Sequence, residues 1–207
     1  MTPLPDTLLS RLAAAAVAEG LADAVFTRLK TPIGRLLVVG GPAGVCRIGF
    51  EEEPEDAALA EVAARFGPRI VASDAELAGV RDALSSYLEG GRADELGQVA
   101  VDLSLVRSPF RRTVLETLRR EVGPGATTRY GALAERAGHP RAARAVGTTM
   151  ARNPVPLVVP CHRVLPGSGG IGGYGGGPDR KRALLALERA LPPGLSARSS
   201  RIPSPGR

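Results

Sequence analysis

A cysteine and a histidine stand side by side in the segment Pro160-Cys161-His162-Arg163, between an apolar run and a glycine-rich loop. The apolar run covers residues 155–159, and the loop, residues 167–177, contains one aromatic residue, Tyr174. The thiolate is the nucleophilic form of cysteine, and a neighbouring imidazole is a common means of producing it. The segment therefore predicts an accessible, activated thiol at Cys161, held between a short strand and the loop.

Charge is distributed unevenly along the 207 residues, whose net formal charge is +6. Residues 1–104 contain 9 Lys+Arg and 16 Asp+Glu, a net charge of −7, whereas residues 105–207 contain 18 and 5, a net charge of +13. The half that contains Cys161 is therefore strongly basic. This pattern is typical of a surface that binds a polyanion such as DNA, although a generally arginine-rich surface would give the same composition.

The composition also argues against several classes of protein. No run of 18 apolar residues is present, so we expect no membrane span, and the first 20 residues lack the basic start of a secretion signal. We therefore expect a reducing cytoplasm, where Cys46 and Cys161 stay unpaired. Cys46 is interpreted as a small buried apolar residue rather than a second reactive thiol. With two histidines and no CxxC pair, no metal site is expected.

The first half predicts a mixed α+β unit that ends at residue 104. Alternating apolar residues predict strands, and Ser73 is expected to cap the helix that follows it. Helices are predicted over residues 5–22, 54–66 and 74–88, and strands within a meander over 24–50 and over 99–103. This half contains no cluster of titratable residues that suggests chemistry.

The second half predicts a C-terminal domain, residues 105–191, with a helix-turn-helix inside it. A helix that opens at Ser108-Pro109 ends at the Gly123-Pro124-Gly125 break. The two helices of the pair are predicted over residues 130–137 and 141–152, with a turn at 138–140 between them. A last helix is predicted over residues 179–191. Residues 192–207 have little to bury and are predicted to be a disordered tail.

The second helix of the pair is built of small residues with arginines along it. Ala142, Ala143 and Gly147 offer no side chain that reads base edges, yet they permit a close approach to DNA, even in the narrower minor groove. Arg144 would then reach into the base stack. The same pattern also fits a helix that is packed tightly in a core, and the residues alone leave both interpretations open.

Residues 106–190 resemble the O6-alkylguanine-DNA alkyltransferase family, the methylated-DNA–protein-cysteine methyltransferases. Residues 153–164 are similar to the family's active-site signature, and the similarity extends to 129–134, 141–147, 172–177 and 184–188. The first half resembles the family more faintly, through Thr31-Pro32-Ile33-Gly34. The resemblance implies an α+β fold, in which a small ribonuclease H-like α/β domain precedes a helical, winged-helix-like domain with the helix-turn-helix.

The activity that the resemblance implies is DNA repair by direct reversal. An alkyl group would pass irreversibly, once per molecule, from O6-alkylguanine, and from O4-alkylthymine, to Cys161. The nucleotide would first be flipped out of a duplex that is bound through its minor groove. The implied partner is double-stranded DNA, bound by a monomer in the bacterial cytoplasm and nucleoid, with cooperativity on DNA left open. No cofactor is implied, because the thiolate itself accepts the alkyl group.

The resemblance also implies roles at the reacting centre. His162 would act as the base, through a water, and Glu188 would orient its imidazole. Tyr130 would donate a proton or a hydrogen bond to the departing guanine, and Asn153 would brace the turn before Cys161. The pocket for the alkylated base is implied to be lined by Met150, Val155, Pro156, Val159, Tyr174 and Gly175.

DNA contacts follow from the same resemblance. Arg144 would fill the gap left by the flipped nucleotide. The other implied DNA contacts are Arg129, Ala142, Ala143, Gly147 and Arg163. Arg129 stands where many relatives have a small polar residue, and is expected to add a phosphate contact. Gly175 replaces a serine found in some relatives, so a glycine-rich wall could admit adducts larger than methyl.

Two other functions compete with this interpretation. A cysteine hydrolase with a Cys-His-Glu arrangement would need an oxyanion hole and an acyl pocket, and would not need an arginine-bearing helix-turn-helix. A non-catalytic binder of alkylated DNA would look similar but would lack the acceptor, and Cys161 argues against it.

Overall fold

A four-stranded sheet organises the first half of the chain. In the computed structural model, which describes residues 6–90 and 94–194, β1 (Ala24–Thr31), β2 (Gly34–Gly41) and β3 (Gly44–Phe50) form the predicted antiparallel meander. The turns between them need glycine, because Gly34 has φ +104° and Gly44 has φ +132°. A short strand, β4 (Ile70–Ala72), pairs parallel to β1 and gives the order β3-β2-β1-β4.

Successive side chains of β2 point to opposite faces of the sheet, and apolar residues cover both faces. Leu37 and Val39 pack with Cys46, Ala58 and Val62 on one face. The opposite face belongs to a larger core that continues into the second half of the chain. The helices of the first half are α1 (Asp6–Ala18), α2 (Glu55–Phe66), α3 (Ala78–Leu88) and the short α4 (Glu95–Gln98). The sheet, α3 and the second half therefore share one core, which also contains Cys161.

The second half is mainly helical, as the sequence predicts. Ser108 caps the first helix by accepting a hydrogen bond from the Arg111 N–H at 3.4 Å, and Pro109 fills its first turn. The elements are α5 (Pro109–Glu121), β5 (Thr128–Arg129), α6 (Tyr130–Arg136), α7 (Ala143–Ala151), a 3₁₀ turn (Cys161–Arg163), β6 (Val164–Leu165) and α8 (Pro178–Leu187). Parallel pairing of β5 with β6 ties the start of α6 to the chain after Cys161.

Several predicted boundaries are wrong for identifiable reasons. The helix predicted from residue 74 begins at Ala78, and Ser73 instead accepts from the Glu76 N–H of a preceding turn. The helix predicted from residue 141 begins at Ala143, because Arg141 has φ +78°, which no helical residue adopts.

The predicted set of strands is also incomplete. Residues 99–103 form a single bridge, between Val101 and Val45, rather than a strand. β4, β5 and β6 have two or three residues each, too few for an alternating pattern to reveal them. The last helix ends at Leu187, short of the predicted residue 191. Most of the predicted disordered tail, residues 195–207, lies outside the described residues.

Candidate active site

The segment that leads to Cys161 is a series of turns braced by Asn153, not the predicted strand. The Asn153 amide nitrogen donates to the Val159 carbonyl at 2.8 Å, and its side-chain oxygen accepts from the Val155 N–H at 3.0 Å. Leu157 has φ +74°, a left-handed conformation that leucine rarely adopts. Since Asn153 holds both sides of this strained loop, it lies where the predicted bracing role requires.

Strand β3 holds the same segment from the N-terminal side. The Pro154 carbonyl accepts hydrogen bonds from the Ile48 N–H at 2.8 Å and from the Arg47 guanidinium at 3.4 Å. Arg47 is itself ion-paired with Glu53 and, at 3.3 Å, with Glu61. The sequence offered no signal for this support, because it joins residues more than a hundred positions apart.

Cys161 opens the 3₁₀ turn and is only 4% exposed, so the predicted accessible thiol is in fact buried. It lines a cavity of about 320 Å³ between the two halves of the chain. Burial raises the pKa of the thiol, and this effect is opposed by the Asn153 side chain, by the charge of Lys181 and by backbone N–H groups. A reaction partner would therefore have to enter this cavity to reach the thiol.

Four of the six predicted pocket residues line this cavity, which is broad enough for a base. They are Met150, Pro156, Tyr174 and Gly175. Val155 and Val159 are fully buried in the hydrophobic core and are not among the residues that line this cavity. The first half contributes lining residues that the sequence did not single out, namely Arg47, Ile48, Phe50, Glu52 and Glu53.

His162 lies in a buried network that ends at Glu188. Its Nε2 is 3.2 Å from Glu188 Oε1, and both side chains are 1% exposed or less. Burial lowers the pKa of His162, an effect that the neighbouring carboxylate partly offsets. Nδ1 is also buried and has no hydrogen-bond partner among the described residues. The arrangement therefore provides a neutral imidazole whose Nε2 faces a carboxylate and whose Nδ1 is available.

Arg163 belongs to this network rather than to a DNA surface. The sequence predicts it as a DNA contact, and the structure contradicts this: the guanidinium is 6% exposed and pairs with both oxygens of Glu188, at 2.9 and 2.7 Å. Its remaining Nη1 donates to the Val122 carbonyl at 2.6 Å. All three groups of donors are thus engaged inside the protein.

Two tyrosines border the thiol. The ring of Tyr174 packs edge-on against Phe50 and His162, with centroids 5.8 and 6.4 Å away. Its hydroxyl is buried and has no partner within the described part of the chain, so it is available to a bound base. Burial, followed by the charge that Cys161 would carry, raises the pKa of Tyr130, which keeps its hydroxyl protonated.

Lys181 is a buried cation that the sequence reading missed. It is fully buried, and its Nζ donates to the Val164 carbonyl at 2.8 Å and to the Gly173 carbonyl at 3.2 Å. Burial lowers its pKa to about 8, and the thiolate charge of Cys161 opposes this shift. In the sequence, Lys181 cannot be distinguished from a surface lysine of a polar helix, so its burial is evident only from its tertiary contacts.

Helix α7 presents the predicted DNA-facing residues at the surface. Arg144 is exposed, and Ala142, Ala143 and Gly147 are partly exposed, while Val146 packs into the core. Arg129 is exposed too, but its guanidinium donates to the Gly167 carbonyl at 2.6 Å and to the Pro166 carbonyl at 3.4 Å. Ala143 and Gly147 on α7 are therefore partly open to solvent, whereas Ala142, just before the helix, also packs against the core.

No three His, Cys, Asp or Glu side chains are placed to hold a metal ion within residues 6–90 and 94–194. Among those same residues, every helix is too short or too polar to cross a bilayer.

Comparison with known proteins assigns the family. The family model described as "6-O-methylguanine DNA methyltransferase, DNA binding domain" matches residues 109–190. A methylated-DNA–protein-cysteine methyltransferase of Mycolicibacterium paratuberculosis is 47% identical over 116 residues, which cover 56% of this chain and 67% of the relative. That of Methanosarcina acetivorans is 34% identical over 159 residues, 77% of this chain and 94% of the relative.

Solved structures give the same result over more of the chain. A crystal structure of Mycobacterium tuberculosis OGT in complex with DNA is similar, with a TM-score of 0.66, 32% identity and coverage of 80% of this chain and 93% of that one. The similarity therefore includes the sheet as well as the helices around Cys161. The chain belongs to the methylated-DNA–protein-cysteine methyltransferase family.

Proposed function

We propose that this protein repairs DNA by direct reversal, and that Cys161 is the residue that accepts the alkyl group. The sulfur attacks the carbon attached to O6 of guanine; a carbon–sulfur bond forms, the carbon–oxygen bond breaks, and its electron pair stays on the guanine oxygen. The observation that carries the proposal is the position of Cys161 in a cavity of base size, directly beside the His162–Glu188 pair. The thioether product is stable, so each molecule acts once.

His162 supplies the base in this scheme. With Nε2 directed at Glu188, Nδ1 is the nitrogen that receives the thiol proton, and burial keeps the ring neutral until then. The carboxylate then stabilises the imidazolium that forms. The proton that the departing guanine needs comes from Tyr130, whose hydroxyl stays protonated because its pKa is raised.

DNA is bound by the basic half in the proposed complex. Arg144 on α7 takes the place of the flipped nucleotide, while the small residues Ala142, Ala143 and Gly147 let the helix approach the minor groove. Contacts to the backbone dominate, so affinity should fall as salt rises. We propose a monomer, which works on DNA in the cytoplasm and nucleoid, and include O4-alkylthymine as a second substrate.

The finer description of the fold is part of the proposal. The order β3-β2-β1-β4, with β4 parallel to β1, supports a ribonuclease H-like domain over residues 1–104. Helices α6 and α7, with the β5–β6 pair beside them, support a winged-helix-like domain over residues 105–191.

Intact-protein mass spectrometry tests the proposed reaction. The protein is mixed with a duplex that contains one O6-methylguanine; we expect the gain of one methyl group at Cys161 and none beyond it. Cys161→Ala should gain nothing and still bind the duplex, whereas Cys46→Ala should be methylated normally, since burial raises the pKa of Cys46 to about 12. Repeated turnover would favour the cysteine hydrolase, and the absence of transfer by folded, reduced protein would favour the non-catalytic lesion binder.

A further inference from the structure

A tyrosine from the first half of the chain completes the buried network around His162. Tyr87 lies near the end of α3 and is 1% exposed. Its hydroxyl is 2.7 Å from Glu188 Oε1 and 3.4 Å from His162 Nε2. Residue 87 lies 101 positions from Glu188, and nothing in the sequence pattern connects the two.

The hydrogens of this triangle can be assigned from the donors and acceptors available. Glu188 is ionised, because two hydrogen bonds from Arg163 and one from His162 outweigh the effect of burial and lower its pKa. An ionised carboxylate only accepts, so the Tyr87 O–H must donate to it. Burial, followed by the charge of Glu188, raises the pKa of Tyr87, so the phenol remains a donor throughout the physiological range.

The same reasoning fixes the tautomer of His162. Nε2 faces Oε1 at 3.2 Å and the Tyr87 oxygen at 3.4 Å, and the Tyr87 hydrogen is already directed at the carboxylate. If Nε2 were unprotonated, its lone pair would face the Glu188 and Tyr87 oxygens, and neither oxygen would direct a hydrogen toward it. Nε2 must therefore carry the proton. Nδ1 then bears the lone pair.

We propose that Tyr87 is a positioning residue that fixes Oε1 of Glu188 beside the Nε2–H of His162 and shares that carboxylate oxygen with the imidazole. The first half of the chain thereby takes part in the chemistry of the second. The effect on transfer rests on the proposed function, whereas the effect on the His162 imidazole does not.

Removal of the hydroxyl has a defined electrostatic consequence. Tyr87 and His162 share Oε1, so the phenol withdraws some of the negative charge that the imidazole would otherwise meet. In Tyr87→Phe the carboxylate should attract the Nε2 proton more strongly, and the pKa of His162 should rise. The other titratable or charged groups around the ring are Cys161, Arg163, Tyr174, Lys181 and Glu188, and the variant leaves all of them in place.

Nitrogen NMR of histidine-labelled protein tests the proposal directly. The chain has two histidines, His139 and His162, so the buried ring is assigned by comparison with a His139→Gln variant. In the unmodified protein we expect the Nε2–H tautomer at His162. In Tyr87→Phe we expect the same tautomer, because Nε2 still donates to the ionised Glu188, but a higher His162 pKa. Ser86→Ala removes a hydroxyl from the same helix, takes no part in the bonds at Glu188, and should leave both unchanged.

Single-turnover methyl transfer from an O6-methylguanine duplex supplies the second measurement. Tyr87→Phe should slow transfer about tenfold, the effect of one charge-assisted hydrogen bond, and move the acidic limb of the rate–pH profile to higher pH, with unchanged affinity for the duplex. Phenylalanine keeps the buried ring, and a thermal unfolding scan confirms that the variant is folded.

The outcomes separate the two proposals. An Nδ1–H tautomer in the unmodified protein would overturn the role of Tyr87 without any variant, and so would a Tyr87→Phe protein whose His162 pKa and rate profile match those of the unmodified chain. If the His162 pKa rises as expected but neither protein transfers a methyl group, the role of Tyr87 stands and the proposed function fails.

Discussion

Arg163 and Glu188 form a two-pronged ion pair in the interior, with Nε 2.9 Å from Oε2 and Nη2 2.7 Å from Oε1. Their side chains are 6% and 1% exposed. A carboxylate placed here without a partner would be costly, and the pair is what permits an ionised Glu188 beside His162. Arg163, the residue directly after His162, therefore holds the carboxylate that faces the His162 imidazole.

Glu188→Gln should reveal the strength of this pair. The amide leaves the Arg163 guanidinium buried without a counter-charge, so we expect a loss of about 3–5 kcal/mol in the free energy of unfolding at pH 7, measured by urea titration. Glu52→Gln is the matched control: Glu52 pairs with Arg180 but is 62% exposed, and its loss should cost less than about 1 kcal/mol. Equal effects of the two variants would contradict a special role for the buried pair.

Acid should abolish the difference between Glu188 and glutamine. Burial raises the pKa of Glu188, but hydrogen bonds from His162 and Arg163, and then their charges, outweigh it, so the folded-state pKa lies below the ordinary value of 4.5. A lowered carboxyl pKa stabilises the fold above the unfolded value, and this stabilisation is lost as pH falls toward the folded value. The urea midpoints of wild type and Glu188→Gln should therefore converge below pH 4.5, and a constant gap would contradict the assignment.

Arg144→Ala should separate base flipping from the chemical step. Arg144 is exposed on α7, and its proposed function is to fill the stack after the nucleotide leaves. We expect transfer from a duplex to slow about tenfold or more, because flipping costs a few kcal/mol. Transfer from free O6-methylguanine, which needs no flipping, should be unchanged. A similar loss on both substrates would place Arg144 in the chemistry instead.

Substitution of Arg129 should distinguish a contact to DNA phosphate from a contact that holds a loop of the protein. The sequence predicts a phosphate contact, whereas the guanidinium holds the carbonyls of Pro166 and Gly167, where the loop that carries Tyr174 begins. If Arg129 clamps this loop, Arg129→Ser should slow transfer from free base and from duplex by the same factor and speed amide exchange over residues 167–177. A loss confined to the duplex, with a weaker salt dependence of binding, would restore the phosphate contact.

Features that depend on neighbouring residues can be predicted from the sequence, whereas contacts between residues far apart in the chain cannot. The meander, α2, α5 and the α6–α7 pair follow from periodicity and from local signals such as Ser108-Pro109. Asn153, Cys161 and His162 lie within ten residues of one another, so a single segment revealed them. Tyr87 and Arg47 reach the same site from the first half through tertiary contacts, and such contacts leave no periodic or local trace.

The burial of charged side chains is a second feature that cannot be predicted from the sequence. The family resemblance implies a DNA contact for Arg163, and nothing in the sequence distinguishes Lys181 from the arginines and lysines that are usually exposed. Both are buried, because carbonyl groups of neighbouring turns and the carboxylate of Glu188 satisfy their donors. The basic half of the chain therefore uses part of its charge inside the protein, and the net charge overstates the charge that DNA meets.

Lys181→Met should change the pH dependence of transfer. The Lys181 ammonium is one of the groups that oppose the effect of burial on Cys161, so its loss should raise the pKa of the thiol. At pH 7 we expect transfer from free O6-methylguanine to slow about tenfold, one pKa unit of thiolate population. Burial lowers the pKa of Lys181 to about 8, so above that pH wild type should lose part of the stabilisation that the ammonium gives the Cys161 thiolate. The variant lacks this ammonium at every pH and should show no such loss.

Arg182→Met is the matched control for Lys181→Met. Arg182 is the next residue on α8, and it pairs at 3.0 Å with Asp179, which is 58% exposed. Its loss removes the same charge from the same helix but leaves the surroundings of Cys161 unchanged. The rate–pH profile of Arg182→Met should therefore follow that of wild type. If both variants shift the profile alike, the effect is one of overall charge; if Lys181→Met does not shift it, the buried ammonium stabilises the fold and not the thiolate.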